Sequence, residues 1–101
     1  MSVLVTIKSN VDRLILGSGN YKYTAILKNG RRVNFGHSDY QQYKDTVPKN
    51  LGGGKWSSKN HLDPERRRSY RSRHGAISTK TGQSAYTVKL SPAWFSYYLL
   101  W

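Results

Sequence analysis

The pair Asn29-Gly30 constrains this chain more than any other feature. It stands between two runs of strand-forming residues, Tyr21 to Leu27 and Arg31 to Phe35. Asn-Gly is the preferred pair of a type I′ turn, because both central residues of that turn need positive φ. The spacing predicts a β-hairpin over residues 21–35, closed by Gly36 and preceded by a loop at Gly17-Ser18-Gly19-Asn20.

Upstream, Val3, Val5 and Ile7 alternate with Leu4, Thr6 and Lys8, which is the period of a strand. Leu14, Ile15 and Leu16 form a second short apolar run. Downstream, Ser38 suits the cap of a short helix over Asp39 to Lys44, with Tyr40 and Tyr43 on one face. Residues 46–60 hold Pro48 and Gly52-Gly53-Gly54 and read as a long loop, with flexibility as the glycines' role. Asp63-Pro64-Glu65 supplies an N-cap, a first helical residue and an acidic complement to the helix dipole. The helix it opens is expected to end near His74, with Gly75 just beyond. Residues 78–82 read as a loop and 85–90 as a strand. Ser91-Pro92 repeats the cap-proline pattern and opens a helix through Trp101. The expected fold is α+β in one domain: a small antiparallel sheet built on the hairpin, an arginine-rich helix and an aromatic C-terminal helix. At 101 residues its radius of gyration should be about 13 Å.

Charge bears on function more than on fold. Seventeen Lys and Arg face five Asp and Glu, a formal net charge of +12. Self-repulsion of that size disfavours a compact domain unless a polyanion is near, so nucleic acid, an anionic surface or an acidic protein face are the candidate partners. The chain has no Cys, which excludes disulfides, thiolate chemistry and Cys-containing zinc sites. The segment Met1 to Lys8 lacks the basic and small-residue features of a signal peptide. The longest apolar stretch, Ala93 to Trp101, is far short of the ~20 residues that span a bilayer.

The positive charge concentrates in the helix at Pro64. Arg66, Arg67, Arg68, Arg71 and Arg73 lie within eight residues, and Tyr70 is the only large side chain able to anchor them. On a helical wheel Arg67, Arg71 and His74 form one stripe, and Arg66, Tyr70 and Arg73 the next. Guanidinium groups suit bidentate phosphate or carboxylate contacts. Five of them on phosphate would give a salt slope of log K of roughly −4 to −5. The alternative is a solvated charged helix. Lys28, Arg31 and Arg32 at the hairpin tip are a second basic patch, or merely solubilising. His37-Ser38-Asp39 and His61-Leu62-Asp63 are explained by turns and caps, and they predict no metal. Neither a G-x-S-x-G elbow nor a phosphate loop is present, so no enzyme and no cofactor are expected. The final helix carries Trp94, Phe95, Tyr97, Tyr98, Leu99, Leu100 and Trp101 on every side, so it is the core helix, a contact with another chain or, as a lesser alternative, a membrane-surface insertion.

Four pieces carry a family resemblance. They are Lys22-Tyr23 to Leu27 with Gly30-Arg31 and Val33-Asn34-Phe35-Gly36; Asp39-Tyr40 with Tyr43-Lys44-Asp45; Arg66-Arg67 with Tyr70 and Arg73-His74; and Pro92-Ala93 with Phe95-Ser96 and Leu99-Leu100-Trp101. In this order and spacing the chain resembles a family of small basic proteins of nucleocytoplasmic large DNA viruses, of iridovirus, marseillevirus, mimivirus and algal-virus type. The segment before Asn20 and the insert at Gly52 to Gly54 fall outside that pattern. The resemblance implies a protein of the virion, or of the host cytoplasm or viral factory during assembly, and implies no catalytic residues.

Two functions follow as expectations. In the first, the chain is a minor capsid or cementing protein that bridges capsid proteins, the major capsid protein foremost, on the inner face of the shell. Trp94, Phe95, Tyr98 and Trp101 would make the protein contacts. In the second, it binds DNA and organises the viral genome through Arg66, Arg67, Arg68, Arg71 and Arg73, with Lys28, Arg31 and Arg32.

Overall fold

The computed structural model describes residues 3–75 and 88–101. The chain runs through α1 (Val3–Asn10), β1 (Val11–Leu16), β2 (Tyr21–Leu27), β3 (Arg32–His37), two single-turn 3-10 helices (Lys49–Leu51 and Ser57–Lys59), α2 (Pro64–Gly75) and α3 (Pro92–Leu99). The three strands form an antiparallel sheet in the order β1-β2-β3. This is the small α+β fold that the sequence predicts, and its Cα radius of gyration is 13.0 Å.

The hairpin forms with Tyr23 opposite Phe35 and Ala25 opposite Val33. Its turn differs from the expected type I′. Lys28-Asn29-Gly30 is a three-residue loop, closed by the Leu27 amide on Arg31 O at 2.8 Å and the Gly30 amide on Leu27 O at 2.9 Å. Gly30 takes φ 88°, while Asn29 keeps a negative φ and accepts from the Arg31 amide through its side chain at 2.9 Å. One left-handed residue after an ordinary turn suffices for this loop length. Nor does Gly36 close the hairpin, since β3 continues through it to His37.

Residues 3–10 are helical, not a strand. β2 already has β1 on one side and β3 on the other, so a further strand could pair only at an outer edge. As a helix, the segment buries Thr6 and Ile7 side by side, and the Asn10 side chain donates through Nδ2 to Thr6 O at 2.9 Å where the helix gives way to β1. The helix-propensity cost of Val and Ile is a few tenths of a kcal/mol each, less than burying Ile7 contributes.

The expected helix over 39–44 is absent. His37 to Tyr40 make a turn, and Gln42 bridges Asn60 in parallel. Tyr40 and Tyr43 therefore share no helical face. The 46–60 segment is built, not slack. An alanine Cβ at Gly53 would lie 2.1 Å from Val47 O, and one at Gly52 2.0 Å from Leu14 O. Close backbone approach, not flexibility, explains these glycines.

The core lies where the sheet meets α3. Phe35 stacks between Tyr23, centroids 5.7 Å apart, and Phe95, at 4.9 Å. Trp94, Leu99, Leu100, Leu14, Val33 and Val47 also belong to it, and Ile7, Val11, Ala25 and Leu27 extend it. Ser91 caps α3, its hydroxyl accepting from the Trp94 amide at 3.1 Å. The helix stops at Leu99 instead of reaching Trp101: the Leu100 amide makes the last i→i−4 bond, to Ser96 O at 3.0 Å, and the Trp101 amide reaches the same oxygen at 3.2 Å, one residue too far for a helix. The loop expected at 78–82, and the first part of the strand expected at 85–90, lie outside the described residues. Residues 88–90 make a turn, with Leu90 at φ 65°.

Candidate nucleic-acid interface

A helix with no apolar face needs an outside anchor, and for α2 that anchor is Trp101. Tyr70 stacks flat on the Trp101 indole, 4.0 Å between centroids and 3° between planes. His74 covers the other face of Tyr70 at 3.8 Å. The Nε of Arg67 and that of Arg71 both donate to the main-chain oxygen of Trp101, at 2.7 and 3.1 Å. The two guanidinium groups also lie over rings, Arg67 over Tyr43 at 4.8 Å and Arg71 over Tyr97 at 4.6 Å. Each such contact contributes about 0.5–1 kcal/mol or more. Asp63 caps the helix, accepting from the Glu65 amide at 2.9 Å and the Arg66 amide at 3.4 Å.

This docking sorts the five arginines. Arg67 and Arg71 are spent on holding α2 to the rest of the protein. Arg68 points to solvent beside Glu65 at 3.9 Å, and both side chains are too exposed for that pair to contribute much. Arg66 and Arg73 line a groove of about 970 Å³ between α2 and the base of the hairpin. The Arg66 guanidinium reaches Gln41 Oε1 at 2.8 Å, and Arg73 Nε touches Ser69 O at 3.4 Å. Neither has a carboxylate partner among the described residues.

Cations and rings together line the groove. Phe35, Gly36 and Leu100 are among its lining, with Tyr21, His37 and Tyr40 from the hairpin side and Tyr70 and His74 from α2. Gly36 sits at φ 75°, and an added Cβ would come 2.8 Å from Leu100 Cδ1. Tyr40 is 67% exposed and stacks on His37 at 4.4 Å. Asp39 is the one carboxylate among the lining residues.

Two features of the site were not legible in the sequence. Lys22, also in the lining, is almost wholly buried and donates to Tyr40 O at 2.6 Å, which ties the exposed Tyr40 turn to β2. Burial, reinforced by Lys59 and opposed by Asp45, lowers its pKa to about 8. The second feature is the support behind that turn. Gln42 Nε2 donates to Trp56 O and to Asn60 Oδ1, both at 2.7 Å, and the Trp56 indole donates to Lys22 O at 2.8 Å. No local pattern marks contacts that join positions so far apart in sequence.

Other expected site residues lie elsewhere. Lys28, Arg31 and Arg32 stand at the opposite end of the hairpin, where Lys28 Nζ donates to Lys8 O at 2.9 Å. Arg32 opens β3 two residues, about 7 Å, before Asn34, the first groove-lining residue of that strand, and Lys28 and Arg31 lie beyond it toward the tip. Trp94 and Phe95, expected as partner contacts, are 4% and 0% exposed and belong to the core. Tyr98 is 37% exposed, and Trp101 is half-buried against Tyr70. Among the described residues, no group of three or more His, Asp or Glu could hold a metal ion, and no helix is long and apolar enough to cross a membrane. Comparison with protein-family models, curated proteins and solved structures returned no match.

Proposed function

We propose that this chain is a non-enzymatic nucleic-acid-binding protein that holds a phosphate backbone along the groove between α2 and the hairpin base. The observation that carries this reading is the pairing of Arg66 and Arg73 in a concave, ring-lined groove without a carboxylate partner among the described residues. Anions lower the self-repulsion of a chain of net charge +12, which adds a long-range attraction to the local one. The resemblance to large-DNA-virus proteins supports the virion or viral factory as the setting and the viral genome as the polyanion. A capsid-bridging role has less support, since two of the four side chains it relied on, Trp94 and Phe95, are enclosed in the chain's own core.

Titration of a fluorescent oligonucleotide at low and physiological salt tests the proposal. Arg66, Arg68 and Arg73 are the guanidinium groups of α2 left for phosphate, so log K should fall against log salt with a slope of about −2 to −3. That is shallower than five arginines would give. Absence of binding at low salt would refute the reading.

A further inference from the structure

Resting on the nucleic-acid reading above, we propose that the groove is built for single-stranded nucleic acid, with an unpaired base stacked on Tyr40 while its backbone runs along Arg66 and Arg73. Among the described residues Tyr40 is the most exposed of the large apolar and aromatic side chains at 67%, yet it is not loose. His37 backs its ring at 4.4 Å, and Lys22 Nζ grips its main-chain oxygen at 2.6 Å. A preset ring in a concave wall, facing a helix that carries two guanidinium groups, is what base stacking beside a phosphate contact requires. A base held inside a duplex has no free face to offer. Duplex readout calls instead for a convex element that enters a groove of the DNA. α2 is the only basic helix among the described residues, and its Arg67, Tyr70 and Arg71 are held against Trp101 and its neighbours. Charge complementarity supports an anionic occupant of the groove, with Arg66, Arg73 and Lys22 set against Asp39 in the lining.

The test compares a labelled oligothymidylate with a DNA hairpin duplex of equal phosphate count, by fluorescence anisotropy at one salt concentration. The wild-type chain should bind the single strand more tightly. Tyr40→Ala should weaken single-strand binding about tenfold or more, the usual effect of removing a stacking ring, and leave duplex binding unchanged. Tyr40→Phe should keep wild-type affinity. Circular dichroism of Tyr40→Ala should match wild type, since the ring lies largely outside the core. Equal or tighter duplex binding, or an unchanged affinity for Tyr40→Ala, would overturn the inference while leaving the nucleic-acid reading intact. Displacement of the oligonucleotide by polyglutamate at equal charge would also overturn it, because a merely acidic partner has no base to stack. Failure of both DNAs to bind would overturn the broader reading as well.

Discussion

Asp45 accepts from three donors at once: the Tyr23 hydroxyl, the Val47 amide at 3.0 Å and the Trp56 amide at 3.0 Å. Its own amide donates to Asn60 Oδ1 at 2.7 Å. One carboxylate thereby pins the 46–60 segment to β2, and Asp45→Ala should cost about 2–4 kcal/mol in a urea melt. Lys22 and Tyr23, neighbours on β2, respond to pH in opposite senses. Folding lowers the Lys22 pKa from 10.5 to about 8, so between those values the unfolded chain binds more protons and stability rises with pH. Burial and the bond to Asp45 push Tyr23 well above its ordinary 10.0, and burial pushes Tyr70 up to about 12. Above pH 10 the unfolded chain loses those phenol protons first, and stability falls. Urea melts from pH 7 to 11 should therefore show a maximum near pH 10. Lys22→Met should abolish the rising limb; a rise that persists would rule out Lys22 as its source.

At the scale of elements, α2 is seated by the Tyr70–Trp101 stack together with the Arg67 and Arg71 contacts. Tyr70→Ala removes the ring held between Trp101 and His74. An aromatic pair contributes about 0.5–1.5 kcal/mol beyond its buried area. Hydrogen-exchange protection across α2 should fall about tenfold or more, while β2 amides keep theirs. The two helix starts were legible because a cap is local chemistry: Asp63-Pro64 and Ser91-Pro92 carry donor, acceptor and fixed φ within a few residues. The hairpin was legible for the same reason, although Asn29-Gly30 suits two turn types and the loop length decided between them. The segment Val3 to Lys8 is ambiguous in sequence because its alternation fits a strand and equally places Val3, Thr6 and Ile7 on one helical face. The choice came from the sheet, which no local pattern reports. Likewise Gly52-Gly53-Gly54 looked like slack because the carbonyls that crowd Gly52 and Gly53 belong to residues distant from them or across a turn.

For the whole molecule, the basic residues of α2 and of the hairpin tip do not form one surface. Arg67 and Arg71 are structural, Arg68 is solvated, Arg66 and Arg73 face the groove, and Lys28, Arg31 and Arg32 lie at the far end of the hairpin. A count of arginines in the sequence could not make that division, because it depends on where Trp101 lands. The aromatic helix is similarly divided, with Trp94 and Phe95 inside and Trp101 serving as the seat for α2. The account therefore predicts that binding and stability separate along α2. The most direct measurement is the salt dependence of oligonucleotide affinity for the double variant Arg66→Ala/Arg73→Ala. Its thermal midpoint should stay near that of wild type, and its salt slope should be shallower by about 1.4–1.8, the loss of two phosphate contacts. An unchanged slope and affinity in a folded double variant would contradict the account.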